Sequence, residues 1–172
     1  ITMRGDEVIE DADIVIRDNR IVAVGRRGTV EVPQGAQVID MTGKTIIPGF
    51  VDTHSHFRHS PDIHTVQPWA LLANLAYGVT TTRDPQTGST DVLTYADRVT
   101  TGDLVGPRIY STGPGVFSGE HIRSLDQARN VLKRYSEYYD TKTIKMYGAG
   151  NRQVRQWIMM AARELRLMPT TE

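Results

Sequence analysis

The segment Ile46-Ile47-Pro48-Gly49-Phe50-Val51-Asp52-Thr53-His54-Ser55-His56 constrains this chain more than any other. Its first half reads as a buried strand, with apolar Ile47, Phe50 and Val51 and a Pro-Gly break where the chain changes direction. Its second half carries two imidazoles at i and i+2. In a strand those positions share a face, about 7 Å apart along the backbone. Both rings can then turn onto one metal ion, at roughly 2.0–2.1 Å per Zn–N bond. A bare His-x-His tripeptide is ordinarily two surface histidines. At the end of an apolar strand the pair reads as half of a metal site.

Composition excludes several partners. Lys+Arg and Asp+Glu are both 20, and no polybasic stretch appears, which argues against nucleic acid. The absence of cysteine removes disulfides and thiolate ligands and fits a reducing, cytoplasmic setting. No apolar run approaches the roughly 18 residues of a spanning helix, so the expectation is a soluble chain without a membrane partner. The 172 residues suffice for one ordinary domain or two small ones. They open at Ile1 without an initiator Met and stop at Glu172, directly after the strand-like Leu167–Thr171. That reads as a fragment of a longer protein.

Residues 1–47 read as short strands. Asp13–Arg17 and Arg20–Val24 flank Asp18-Asn19, two residues that tolerate positive φ in a hairpin turn. Gln37–Met41 and Lys44–Ile47 are expected as two further strands around Thr42-Gly43. From Phe50 onward the pattern becomes strand–helix alternation. Helices are expected over Gln67–Tyr77, with Pro68 at the first helical position and Gly78 as its stop, over Asp91–Thr101, after the capping box Ser124-x-x-Gln127, and over Arg152–Arg166. Strands are expected at Val79–Asp84, Pro107–Thr112, Thr143–Tyr147 and from Leu167. This alternation means a parallel sheet with right-handed crossovers, either a barrel or an open doubly wound sheet. No Gly-rich phosphate turn follows the first strand, which counts against a dinucleotide fold.

Three motifs in combination, Pro48–His56, Gly78–Asp84 and Gly106–Ile109, resemble the amidohydrolase superfamily, in particular its imidazolonepropionase-like and Xaa-Pro dipeptidase-like branch. The resemblance implies a partial (β/α)₈ barrel with about five strands present in residues 48–172, preceded by an incomplete β-sandwich segment in residues 1–47. It implies a metal-dependent hydrolase that cleaves an amide, cyclic amide or peptide-like C–N bond of a small-molecule or peptide-like substrate. One or two divalent ions, zinc foremost, would be the cofactors. The rival reading is an inactive fragment, or a subunit completed by another chain, since an open parallel edge favours association into an oligomer.

Active sites of such barrels lie at the C-terminal ends of the strands. The resemblance makes His54 and His56 metal ligands and gives Lys145 the role of a metal-bridging lysine. An ammonium has no lone pair to offer a cation, whereas carboxylation by CO₂ yields a carbamate with two anionic oxygens. Taken alone, Lys145 reads as a strand-end lysine snorkelling to solvent. Where the family's fifth strand ends in a ligating His, this chain has Glu172, either a carboxylate ligand or a residue outside the coordination sphere. The general-base Asp is expected beyond Glu172. His121 and Tyr147 are candidate substrate contacts, against a solvated loop His and a packed Tyr. His59 and His64 read as polar loop residues lining the mouth. Arg83 and Asp84 read as structural, paired with one another or supporting the metal shell.

Overall fold

The structure is a computed structural model that describes residues 1–58 and 62–171. The chain divides into two compact units, Ile1–Pro48 and Gly49–Glu172. In the first unit, β1 (Ala12–Arg17) and β2 (Arg20–Arg26) form an antiparallel hairpin, with a bulge between Val15 and Ile16. Of the two turn residues only Asp18 takes a positive φ, 54°.

The two strands expected at Gln37–Met41 and Lys44–Ile47 do not form. The turn between them does: the Asp40 carboxylate accepts from the Thr42 amide at 2.9 Å and from its hydroxyl at 2.6 Å. That bonding is local and asks nothing of the flanking residues. With no ladder partner, Val38 and Ile39 stay exposed, at 83% and 71%. Apolar alternation marks a strand only where a neighbour takes up its backbone groups.

In the second unit β3 (Phe50–Asp52), β4 (Val79–Asp84) and β5 (Arg108–Ser111) form a parallel sheet in that order. A second parallel pair joins β6 (Thr143–Met146) to β7 (Met168–Thr171). The ladder between β5 and β6 is not direct. Gly113 turns out of β5 at a φ of 68°, and Val116 of the connecting loop bridges to Met146. The Val116 amide donates to the Lys145 carbonyl at 2.8 Å, and the Tyr147 amide donates to the Val116 carbonyl at 3.2 Å.

β3 is shorter and more open than its sequence suggests. Ile47 lies outside it, and Phe50 and Val51 are exposed, because β3 pairs with β4 alone and is an edge strand. Gly49, just before it, leaves no room for a side chain, since a Cβ there would collide with Thr80.

The helices follow their apolar periodicity. α1 (Trp69–Ala76) starts one residue after an extended Pro68 and ends at Gly78, whose φ of 78° only glycine adopts freely. α2 (Asp91–Thr100) buries Val92 and Tyr95. α3 (Leu125–Lys133) is capped by the Ser124 hydroxyl, which accepts from the Gln127 amide at 3.1 Å. The Gln127 side chain accepts from the Arg123 amide, one residue short of the reciprocal capping bond. α3 continues into a π-helical turn at Arg134–Tyr138. α4 (Arg152–Glu164) is capped by Asn151 and buries Ile158, Ala161 and Ala162.

Two apolar clusters result. One gathers Phe57, Leu71, Val92, Tyr95, Leu104 and Ile109 between the first helices and the β3–β5 sheet. The other centres on Val116, Leu132, Ile144, Ile158 and Ala161 beneath β6. Leu132 is fully buried, so Leu132→Ala is predicted to cost about 2–5 kcal/mol in chemical denaturation. Ile39→Ala, at an exposed and unpaired position, is predicted to stay within about 0.5 kcal/mol of wild type. An Ile39→Ala loss as large as that of Leu132→Ala would show that residues 37–41 are packed as a strand after all.

Candidate functional site

His54 and His56 lie just beyond the C-terminal end of β3 rather than in it. The Asp52 carboxylate accepts from the His54 amide at 3.0 Å, and the Ser55 amide donates to the Arg83 carbonyl at 2.9 Å, which keeps the segment beside β4. The two rings stand edge to face, with centroids 5.1 Å apart. The expected convergence of the imidazoles therefore does not depend on strand geometry.

The Arg83 guanidinium and the Asp84 carboxylate bond to other partners and not to each other. Adjacent on a strand, they point to opposite faces. The Arg83 guanidinium reaches the Thr53 carbonyl at 3.4 Å and the hydroxyls of Thr143 and Thr170 at 3.4 and 3.3 Å, touching three other strands or strand ends. Burial lowers its pKa, opposed by the charge of Asp84. Asp84 is fully buried. One of its oxygens accepts from the Phe57 amide at 2.9 Å; the other accepts from the Gln86 amide at 3.0 Å and lies 3.3 Å from His56 Nδ1. Burial pushes its pKa up, while the two amides and His56 pull it back. The Gln86 carbonyl lies 3.3 Å from the same ring nitrogen. Sequence reasoning did not foresee this convergence: an aspartate after a run of β-branched residues carries no local mark of the loops it will bind.

Lys145, at the end of β6, is 2% exposed, so it does not snorkel to solvent. Its Nζ lies 5.8 Å from the centroid of the Tyr147 ring, in cation–π range. Tyr147 is half-exposed and meets Phe117 edge to face at 6.2 Å. Phe117 is an aromatic that the sequence reading passed over because it stands in a glycine-bearing loop. His121 is exposed and left-handed, with φ 50°, at the end of the 3₁₀ turn Ser118–Glu120. Glu120 in that turn pairs with Arg134 at 2.6 Å.

His64 does not line an open mouth. Its Nε2 sits 2.6 Å from Asp91 at the start of α2, and its ring packs 4.6 Å from that of Tyr95. His59 and Glu172 lie outside the described residues. A groove of 780 Å³ is lined only by α4 and the residues leading into it, and takes in none of these side chains.

Imidazole nitrogens and carbamate oxygens are both donors that zinc accepts. Among the described residues no three His, Cys, Asp or Glu side chains gather into a ready cage. The fit to a divalent ion therefore rests on two imidazoles beyond β3 and on a buried lysine at the end of β6.

No family model matches the chain. Over 74 residues it is 40% identical to dihydroorotase of Streptococcus pneumoniae, a match covering 40% of this chain and 16% of that protein. Over 64 residues it is 42% identical to imidazolonepropionase of Symbiobacterium thermophilum, covering 35% of this chain and 15% of that protein. The names of these relatives point to the amidohydrolase superfamily. The chain matches only a minor part of the length of those relatives. Its fold is like that of a solved Xaa-Pro dipeptidase with methionine in its active site, at a TM-score of 0.65 and 18% identity. That likeness covers 93% of this chain and 51% of the other. Among the described residues no helix is long and apolar enough to cross a membrane.

The His64–Asp91 contact carries a pH prediction for this chain. Asp91 is held down to about 2, first by the Ser89 hydroxyl and then by His64. A carboxylate depressed on folding from its ordinary value of about 3.9 adds stability above that pH, and the gain is lost as pH falls through the folded value. The melting-temperature deficit of Asp91→Asn should thus be steady above about pH 5 and shrink toward about pH 2. A deficit that does not change over that range would show that the carboxylate charge is irrelevant.

Proposed function

We propose that this chain forms the N-terminal part of a (β/α)₈ barrel in a metal-dependent hydrolase, preceded by a sandwich segment in residues 1–47. Its substrate would carry an amide, cyclic amide or peptide-like C–N bond. The observation that carries the reading is the full burial of Lys145 at a strand end of the same parallel unit that presents the His54/His56 pair. A lysine side chain is rarely buried without a specific partner or task. The names of the relatives, dihydroorotase and imidazolonepropionase, support the bond class.

In this reading His54, His56 and Lys145, the last carboxylated by CO₂, would hold one or two divalent ions, zinc first among the candidates. Glu172, next after β7 in the sequence, takes the place of the family's ligating imidazole. Bound there, a divalent ion supplies the Lewis acidity that makes water nucleophilic near neutral pH and polarises the scissile carbonyl. The chain's own residues hold and orient. Tyr147 and His121 contact the substrate at the strand-end face, and the general base is an aspartate of the complete barrel.

Two variants of the full-length protein test this. His54→Ala/His56→Ala is expected to lose bound metal by elemental analysis, and unchanged metal stoichiometry would sink the ligand assignment. Lys145→Ala is expected to abolish amide hydrolysis, with partial return on adding a short-chain acid such as propionate, whose carboxylate can bridge two ions. Full activity of Lys145→Ala would remove the bridging role.

A further inference from the structure

Asp84 is the buried carboxylate that the proposed chemistry leaves without a task. Its two oxygens are aimed at two backbone amides and one imidazole nitrogen, and it is fully shielded from solvent. The amides belong to Phe57 and Gln86, in the segments that follow β3 and β4. One carboxylate therefore fixes the segment that carries His56 against the neighbouring loop and also touches the ring itself.

The ring contact has a definite sense. His56 Nδ1 has two neighbours at 3.3 Å, a carboxylate oxygen of Asp84 and the carbonyl oxygen of Gln86. A carbonyl oxygen can only accept, so the nitrogen facing it carries the hydrogen. In a neutral imidazole that leaves the lone pair on Nε2. A metal-binding histidine needs one bare nitrogen toward the ion and its other N–H held by an acceptor, which sets both the tautomer and the ring plane. We propose that Asp84, together with the Gln86 carbonyl, is a positioning residue that locks His56 as the Nδ1–H tautomer, with Nε2 presented for metal. The inference rests on the reading of His56 as a ligand, but the tautomer itself can be observed without any metal.

The alternative for Asp84 is a purely structural clamp on two loops. That role would be served whichever ring nitrogen of His56 carried the hydrogen. The two are separated by what Asp84→Asn does. A carboxamide offers one acceptor and one donor where Asp84 offers two acceptors. Turned one way it leaves the Phe57 amide without its acceptor; turned the other it takes the acceptor from the Gln86 amide and sets its NH₂ against the hydrogen on His56 Nδ1, which works against the Nδ1–H tautomer.

The test is ¹⁵N nuclear magnetic resonance of the metal-free full-length protein, with histidine labelled, at about pH 8, above the ordinary imidazole pKa. Wild-type His56 is expected to show a protonated Nδ1 and a bare Nε2, and Asp84→Asn to show a reversed or mixed pattern. A zinc titration of the same proteins should give an affinity about 10–100-fold weaker for Asp84→Asn. Wild-type His56 found with its hydrogen on Nε2 would overturn the proposal, and needs no variant that might fail to fold. An Asp84→Asn protein with the wild-type tautomer and unaltered zinc affinity would also overturn it. His56→Ala is the separate check. If it binds zinc as wild type does, His56 is no ligand and the metal reading falls, while the tautomer result stands as measured.

Discussion

The alternation of side chains along one strand governs the arrangement of the second unit. β4 ends in Arg83-Asp84, and because neighbours on a strand face opposite ways, the cation and the carboxylate are driven apart. Arg83 extends over one face to Thr53, Thr143 and Thr170, linking β4 to the end of β3 and to the pair β6–β7. Asp84 turns to the other side and gathers the segments that follow β3 and β4. A shift of one residue in the register of β4 would exchange these roles. It would place a carboxylate among hydroxyls and a carbonyl, and leave two buried amides without an acceptor, at about 1–3 kcal/mol for each lost bond.

Much of the second unit was legible in the sequence, for reasons that differ by element. α3 and α4 announce themselves through Ser124 and Asn151, whose side chains cap the first turn, and through apolar residues at helical spacing. Capping and periodicity are local, so the sequence contains them whole. Strands are different. Gln37–Met41 is the more apolar of Val79–Asp84 and Gln37–Met41, yet only Val79–Asp84 has neighbours on both sides. Nothing within either segment encodes that distinction.

The site was legible in its residue types and not in its supports. His54 and His56 stand out as an imidazole pair after an apolar strand, and Lys145 only through the resemblance of its surroundings to the family. The imidazoles meet through a bend after β3, not through the strand spacing that singled them out. His64 looked equally available and is instead spent on Asp91 and Tyr95, a contact made by residues 27 and 31 positions away. The relatives share sequence over less than half of this chain and differ among themselves in the reactions their names give, so the likeness points to a superfamily and to no particular substrate.

The indirect ladder between β5 and β6 has a consequence for how the second unit comes apart. The two apolar clusters lie on either side of it, one under β3–β5 and the other under β6. Val116 belongs to the second cluster and ties the connecting loop to β6 by two backbone bonds, so across the line between the clusters run that loop, a few long contacts from Arg83 and the Tyr135 hydroxyl on the Pro114 carbonyl. A sheet with a continuous ladder melts as one body, whereas a unit divided in this way has two reserves of cohesion joined by a thin hinge. Each half is then expected to open with its own free energy, as separate cooperative blocks in native-state hydrogen exchange. The Tyr147 amide, which closes the hinge, would be among the first to exchange; equal protection across both clusters would mean that they share one transition.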